Sequence, residues 1–292
     1  MLRATVLVLA VTVGAGTAVS NKSQQPVPTR SLLLFTDNSL FSSIDPRLEL
    51  RNNAPAKGPR VISPTEPWES WAVYAFNSVV HVGPGDNRMY YDCVDSKEGP
   101  NGTVVCGTEF VCLATSADGI TWVKPKLGIH SYSSNGSAPS MENNILVKGV
   151  GPGVFLDDNP LCPASERWKM AVTEGAFASP DGLHWSKLPH KVTARDDTKP
   201  TGYWDPRLRK YVISVRRDVK GRNRLGTKIT QRHIGRCETT NFSDWEQESP
   251  GGCPVVFSAN EEEDGSTTDI YTNAWTPYPS IQNLAVHLFF PR

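Results

Sequence analysis

The sequence predicts an all-β protein built as a β-propeller, and three observations carry the prediction. A seven-residue pattern returns at a fixed period, strand-like alternation fills the intervals, and no helical period lasts ten residues. The pattern Ser116-Ala117-Asp118-Gly119-Ile120-Thr121-Trp122 returns as Ser179-Pro180-Asp181-Gly182-Leu183-His184-Trp185. A degenerate third copy is Thr239-Thr240-Asn241-Phe242-Ser243-Asp244-Trp245. Its tryptophans stand about 60 residues apart, near the length of a four-stranded blade.

The first element is a secretory signal over residues 1–20. Arg3 gives it a positive start, Ala4 to Val13 an apolar run, and Ala18-Val19-Ser20 a small-x-small cleavage site. The run is shorter than the ~20 residues that span a bilayer, which argues against a membrane anchor. Residues 21–67 form a leader with Leu32-Leu33-Leu34-Phe35 as its strand, able to close a ring by pairing with the last blade. The propeller then occupies 68–292. Blade one runs over about 68–126, blade two over 143–189 and blade three over 196–247, and a partial fourth covers 269–292. A propeller needs at least about four blades to close. The chain therefore reads as truncated after the start of blade four, with His287-Leu288-Phe289-Phe290-Pro291-Arg292 as an interrupted strand.

The seven-residue pattern has a local cause. Asp-Gly makes a tight turn, because glycine accepts a positive φ and aspartate bonds back to its own backbone. The serine hydroxyl satisfies another turn amide, and the tryptophan opens the next strand and packs between blades. Asp118 and Asp181 are structural on this reading. Between the copies, Tyr211, Ile213 and Val215 alternate with Val212, Ser214 and Arg216, and Phe110, Cys112 and Ala114 alternate with Val111 and Leu113. The second strand is apolar on both sides, as a sheet sandwiched between sheets requires.

Composition bounds the function. Thirty acidic residues balance thirty basic ones over 292 residues, so no net field draws the chain to nucleic acid or to an anionic membrane. Six cysteines in an exported chain suggest disulfides, with 15 possible pairings. Local guesses are Cys93 with Cys106 and Cys237 with Cys253. Sequons at Asn21, Asn101, Asn135 and Asn241 agree with export. There is no C-x-x-C, no His-x-x-x-His and no Gly-x-Ser-x-Gly, so neither a metal nor another cofactor is expected. The acidic run Glu261-Glu262-Glu263-Asp264 reads as a loop before it reads as a calcium site. Arg207 to Arg236 contains one acid, Asp218; it could hold an anionic polysaccharide or be a solvated blade edge, and it lacks the aromatic residues of a nucleic-acid face.

Several further segments carry a family resemblance: Leu34-Phe35-Thr36-Asp37, Pro67-Trp68-Glu69, Arg88-Met89-Tyr90-Tyr91, Asn143-Asn144-Ile145, Val154-Phe155-Leu156-Asp157, Tyr203-Trp204-Asp205-Pro206, Lys210-Tyr211-Val212 and Asp269-Ile270-Tyr271-Thr272. With the repeats, their order resembles the glycoside hydrolase family 32/43-like five-bladed β-propellers, in the family 32-like branch, from about Leu32 to the end. The resemblance implies five blades and hydrolysis of a furanoside or related glycan. The motifs of true family 32 enzymes depart here: no Trp-Met-Asn-Asp-Pro-Asn occurs, Arg217-Asp218 is followed by Val219, and Cys237-Glu238 reverses the Glu-Cys order.

Glycoside hydrolysis needs two carboxyl groups flanking the bond. In a propeller they come from different blades, where each innermost strand begins. That filter selects Asp197, Asp269 and Glu69 as catalytic candidates. Asp205 and Asp157 read as turn residues. Trp68 and Tyr271 are placed to stack on sugar, or to pack between blades. Asn143 and Asn144 suit sugar hydroxyls, and Arg216 could reach a substrate oxygen or pair within the sheet. The expected function is a secreted glycosidase-like protein with a carbohydrate substrate. Non-catalytic glycan binding is the rival, and a sialidase-like propeller is a third reading that lacks a visible arginine triad.

Overall fold

In a computed structural model of the chain, the described residues are Ser43, Asp45, Ala56, 58–134, 136–172, 175–189, 199–222, 226–245, 253–259, 269–277 and 285–291. The signal, the leader strand at 32–35, Asn21, Asn135 and Asp197 lie outside them. Among the described residues there is no α-helix, and none is long and apolar enough to cross a membrane. The structure is antiparallel β-sheet.

Three four-stranded sheets follow one another, each a simple meander. The first contains β1 (Ala72–Gly83), β2 (Asp86–Glu98), β3 (Val104–Ser116) and β4 (Ile145–Lys148). The second contains β5 (Gly153–Leu156), β6 (Trp168–Val172), β7 (Gly175–Ser179) and β8 (Ser186–Lys187). The third contains β9 (Thr201–Asp205), β10 (Lys210–Arg222), β11 (Lys228–Thr239) and β12 (Val255–Phe257). A two-stranded sheet pairs β13 (Ile270–Pro277) with β14 (Ala285–Pro291). The chain divides into two compact units, Met1–Pro59 with Thr276–Val286, and Arg60–Trp275 with His287–Arg292. The three large sheets and the site residues belong to the second unit, and it alone is described further.

One strand pairs differently from the sequence division at residue 143. Ile145–Lys148 bonds to Phe110, Val111 and Cys112 of β3, so it closes the first sheet, and the second begins at Gly153.

The cores explain the strand patterns. On β2 and β3, Met89, Tyr91, Cys93, Phe110, Cys112 and Ala114 pack on Trp68, Tyr132 and Ile145. The opposite faces send Tyr90, Val111 and Leu113 against Trp168, Met170 and Phe177 of the second sheet. That sheet's Ala171 and Ala176 in turn meet Tyr211, Ile213 and Val215 of β10, with Phe242 and Trp245. A sheet covered on both faces has no polar side, and each large apolar side chain buried there contributes about 2 kcal/mol.

The first strands of successive sheets also lie side by side. Ser78 on β1 donates its hydroxyl to the Pro152 carbonyl at 2.8 Å and accepts from the Val154 amide at 3.0 Å. A Cβ on Gly153 would stand 2.0 Å from the Pro200 carbonyl oxygen, so only glycine lets β5 approach the lead-in to β9 this closely.

The repeated turns form as their chemistry requires. Ser116 Oγ accepts from the Gly119 amide at 2.8 Å, and Asp118 Oδ1 accepts from Ile120 and Thr121 at 2.8 and 2.7 Å. Ser179 and Asp181 repeat these bonds to Gly182, Leu183 and His184 at 2.9, 2.8 and 2.9 Å. These donors hold Asp118 down to about 2 and lower Asp181 further still. In the third copy Thr239 Oγ1 accepts from the Asn241 amide at 3.1 Å and Asn241 Oδ1 from Ser243 at 3.0 Å.

Cys237 pairs with Cys253 as expected. Cys93 pairs with Cys112, which corrects the guess of Cys106. The register places Phe110 opposite Cys93, so Cys112 is its diagonal neighbour on the buried face, whereas Cys106 lies opposite Ser96. Cys106 and Cys162 remain thiols.

Candidate functional site

Just before β1, Pro67–Glu69 forms a single 3₁₀ turn. Glu69 is fully buried there. Its Oε2 accepts from the amides of Thr65 and Glu66 at 2.8 and 3.2 Å and from Lys124 Nζ at 2.5 Å. Its Oε1 accepts from the Tyr91 hydroxyl at 2.7 Å. That hydroxyl accepts from Asn144 Nδ2 at 2.7 Å, while Asn144 Oδ1 accepts from Trp68 Nε1 at 2.7 Å. Burial and the adjoining Glu69 carboxylate raise the Tyr91 phenol well above its ordinary range.

A second knot of the same composition stands between the second and third sheets. The buried Asp157 accepts from the Tyr211 hydroxyl at 2.7 Å, which accepts from Asn159 Nδ2 at 3.0 Å, and Lys169 Nζ lies 3.7 Å from Asp157 Oδ2. Carboxylate, tyrosine, asparagine and lysine thus recur together. A bonding pattern repeated from sheet to sheet is scaffold, because a reaction site is needed once. Trp68, Glu69 and Asn144 therefore act in this structure as a lock on the turn that precedes β1. Asn143 is likewise occupied, donating to the His130 and Ser140 carbonyls at 2.7 and 3.1 Å and accepting from Ile145 at 3.0 Å. The sequence reading assigns these four residues to substrate; the structure turns their polar atoms inward.

A different cluster gathers where the first strands meet. Between Tyr74 and Asn77 β1 is bulged against β2, a device common beside functional sites. Asp92 lies opposite Tyr74, fully buried, with Oδ1 accepting from the Gly151 amide at 2.7 Å. The half-buried Lys199 comes from the lead-in to β9 and donates its amine to the Asn77 carbonyl. Burial lowers this amine to about 8, with Asp92 pulling the other way.

The third cluster is Asp269, at the head of β13. Its Oδ1 accepts from the Arg232 amide at 2.9 Å and its Oδ2 pairs with Arg232 Nη1 at 3.2 Å. The Arg232 guanidinium also stands 5.0 Å from the ring centre of Tyr271, a cation–π contact. Arg216 lies on β10 opposite Ile234, buried, with Nε 3.1 Å from Asp218 Oδ1, the in-sheet pairing that was one of its two readings.

The structure thus brings Trp68, Glu69 and Asn144 together in one place, and Asp269 and Tyr271 in another. Asp205 is a turn residue as read, accepting from the Arg207 and Leu208 amides at 2.9 and 3.2 Å. Sequence reasoning passed over Asp92, Lys199 and Arg232. Asp92 carried a usable signal, an acid inside the apolar run Tyr90 to Val94, and Lys199 another, two residues beyond Asp197.

No family model matches the chain, and no curated protein matches it. Two solved structures resemble it. One, a complex of BT0996 and RGII, has a TM-score of 0.45 and 14% identity over 80% of this chain and 73% of that one. The other, a glycosyl hydrolase from Bacteroides ovatus, has a TM-score of 0.29 and 13% identity over 73% of this chain and 84% of that one. Neither likeness is close enough to fix an activity.

Proposed function

We propose that the chain is an exported propeller that acts on carbohydrate in the manner of a glycosidase, with Asp197 and Asp269 as its pair of carboxylates. The observation that carries the reading is Asp269 itself. It opens the first strand of a new sheet, where a propeller exposes its funnel, and it sits with an arginine and a tyrosine ring, groups that suit sugar oxygens and a sugar face. The side-by-side first strands of the three large sheets support a propeller arrangement. Two disulfides support export. Trp68, Asn143 and Asn144 then support the rim from behind, and Tyr271 is the sugar platform.

The test is a screen of the protein against furanosides and other glycans, with Asp197→Asn and Asp269→Asn beside the parent. Hydrolysis by the parent, lost by at least about 100-fold in both folded variants, supports the pair. Binding of a glycan without turnover by the parent selects the second reading, a non-catalytic glycan-binding propeller. That reading has its own observation: both carboxylate oxygens of Asp269 are already bonded to Arg232. Products retaining the anomeric configuration would fit carboxyl groups about 5.5 Å apart, and inversion a wider gap.

A further inference from the structure

Between Arg216 and Ile234 the sequence holds seven arginines and lysines and one acid, Asp218, in a chain whose overall charge is zero. This is the outer part of the β10–β11 hairpin. β9 covers β10 only from Lys210 to Ser214, and β12 covers β11 only at Ile234 and Gly235. From Val215 outward the two strands continue as a bare ribbon, paired as far as Arg222 with Lys228. At about 3.4 Å per residue the ribbon projects for about 20 Å.

The register sorts the charge. Arg216, Asp218, Lys220 and Arg222 oppose Ile234, Arg232, Thr230 and Lys228, and these eight positions share one face. The other face carries Arg217, Val219 and Gly221 against His233, Gln231 and Ile229. All but one of the strand arginines and lysines therefore fall on a single side. At the root the charge is balanced within the fold, Arg216 by Asp218 and Arg232 by Asp269. Toward the tip it is not: Lys220 and Lys228 are exposed and meet no acid among the described residues. Together with Gly221, Ile229 and Thr230 they line an open cleft of about 560 Å³, the size of a small-molecule site. Gly221 has nothing within 4 Å of a would-be Cβ, so the cleft floor is open.

We propose that this ribbon face binds an acidic polysaccharide, a chain of uronic acid residues, beside the carbohydrate site; the inference rests on the carbohydrate reading above. Ammonium groups meet the carboxylates, Thr230 meets a hydroxyl, and Ile229 offers an apolar wall to a ring. Same-face positions recur about every 7 Å along each strand, so a glycan with one carboxylate per sugar meets cations at short intervals. From Val215 to Ile234 the sequence has no Phe, Tyr or Trp, which removes the stacking platform a single-stranded nucleic acid would use.

Affinity electrophoresis through polygalacturonate tests the proposal. At low ionic strength the parent should be retarded, and Lys220→Glu/Lys228→Glu should bind about tenfold more weakly, since each reversal removes an attraction and adds a repulsion. Lys148→Glu/Lys187→Glu changes the net charge equally, at exposed positions away from the ribbon, and should leave retardation within about twofold. Lys220→Gln/Lys228→Gln, checked by thermal melting, gives an intermediate loss and guards against misfolding of the reversed variant. No retardation of the parent overturns the proposal. So does equal loss in both reversed pairs, or tighter binding of heparin or single-stranded DNA than of polygalacturonate. Asp269→Asn should keep the retardation while losing glycan turnover, so failure of the ribbon and failure of the carbohydrate reading are distinguishable.

Discussion

Replacing Glu69 by glutamine separates a lock from a catalyst. The substitution keeps the shape of the side chain and removes its charge. Three donors converge on Oε2, from Thr65, Glu66 and Lys124, so the glutamine carbonyl must face them. Its amide then faces the Tyr91 hydroxyl, which already receives a proton from Asn144 and needs an acceptor for its own. One buried hydroxyl proton is left without a partner, and Lys124 loses the carboxylate it bonds at 2.5 Å. A hydrogen bond to a charged group contributes about 2 kcal/mol, and breaking a buried ion pair from one side costs about 3–5 kcal/mol. Lys124 is 14% exposed and keeps the Ser63 carbonyl and Thr65 hydroxyl, which favours the lower end, about 3 kcal/mol.

For a body of this size that is a fall of about 6–12 °C in melting temperature. Calorimetry under non-reducing conditions measures it. Lys124→Met in the Glu69→Gln background should cost less than it does alone, because the pair is already broken. If Glu69→Gln melts within about 1 °C of the parent while glycan turnover disappears, Glu69 acts on substrate and the lock reasoning is refuted.

Further outcomes follow from the same bonds. Gly119 and Gly182 share a φ of +75°, but a Cβ at Gly182 would stand 2.5 Å from Tyr90 Oη and 2.9 Å from Trp168, whereas Gly119 faces open space. Gly119→Ala should cost about 1–2 kcal/mol and Gly182→Ala at least about 1 kcal/mol more in urea unfolding. Cys93→Ala/Cys112→Ala should lose about 3 kcal/mol of stability, and Cys106→Ala alone should leave it within about 0.5 kcal/mol. Lys199 titrates at about 8 in the fold, against 10.5 for an ordinary lysine. Between those values the unfolded chain holds more protons, so stability should rise with pH from about 8 to about 10. Urea midpoints for the parent and Lys199→Met should show that rise in the parent alone.

The parts of the fold legible in the sequence are those that local chemistry decides. The Ser-x-Asp-Gly turns bond as their residue types require, and the two-sided apolar pattern of Phe110 to Ala114 fits a strand buried on both faces. Strand ownership was not legible. Ile145–Lys148 follows a long irregular segment, and nothing in a short apolar run says which neighbour it will bond to. The Cys93 partner depended on register, which a sequence spacing does not fix.

The site was legible in part, because acids before strands are visible while the groups that bond them are distant in sequence. Glu69 meets Tyr91 and Lys124, and Asp157 meets Tyr211 and Lys169, through contacts that span from 12 to 55 positions. Their flanking residues, Trp68-Glu69-Ser70 and Leu156-Asp157-Asp158, share no motif. The repeat that unites them is one of bonding, and it changes how an acid beside a strand should be read. A carboxylate closed by tyrosine, asparagine and lysine in more than one sheet contributes to stability wherever it occurs. Asp269 breaks that pattern, with an arginine where the knots place a tyrosine and with an aromatic ring on the far side of that arginine. A guanidinium can release a carboxylate to a hydroxylic ligand and remain bonded to both, whereas a buried tyrosine hydroxyl cannot turn outward without breaking the core. The acid that departs from the repeated chemistry is the one with freedom to meet a sugar.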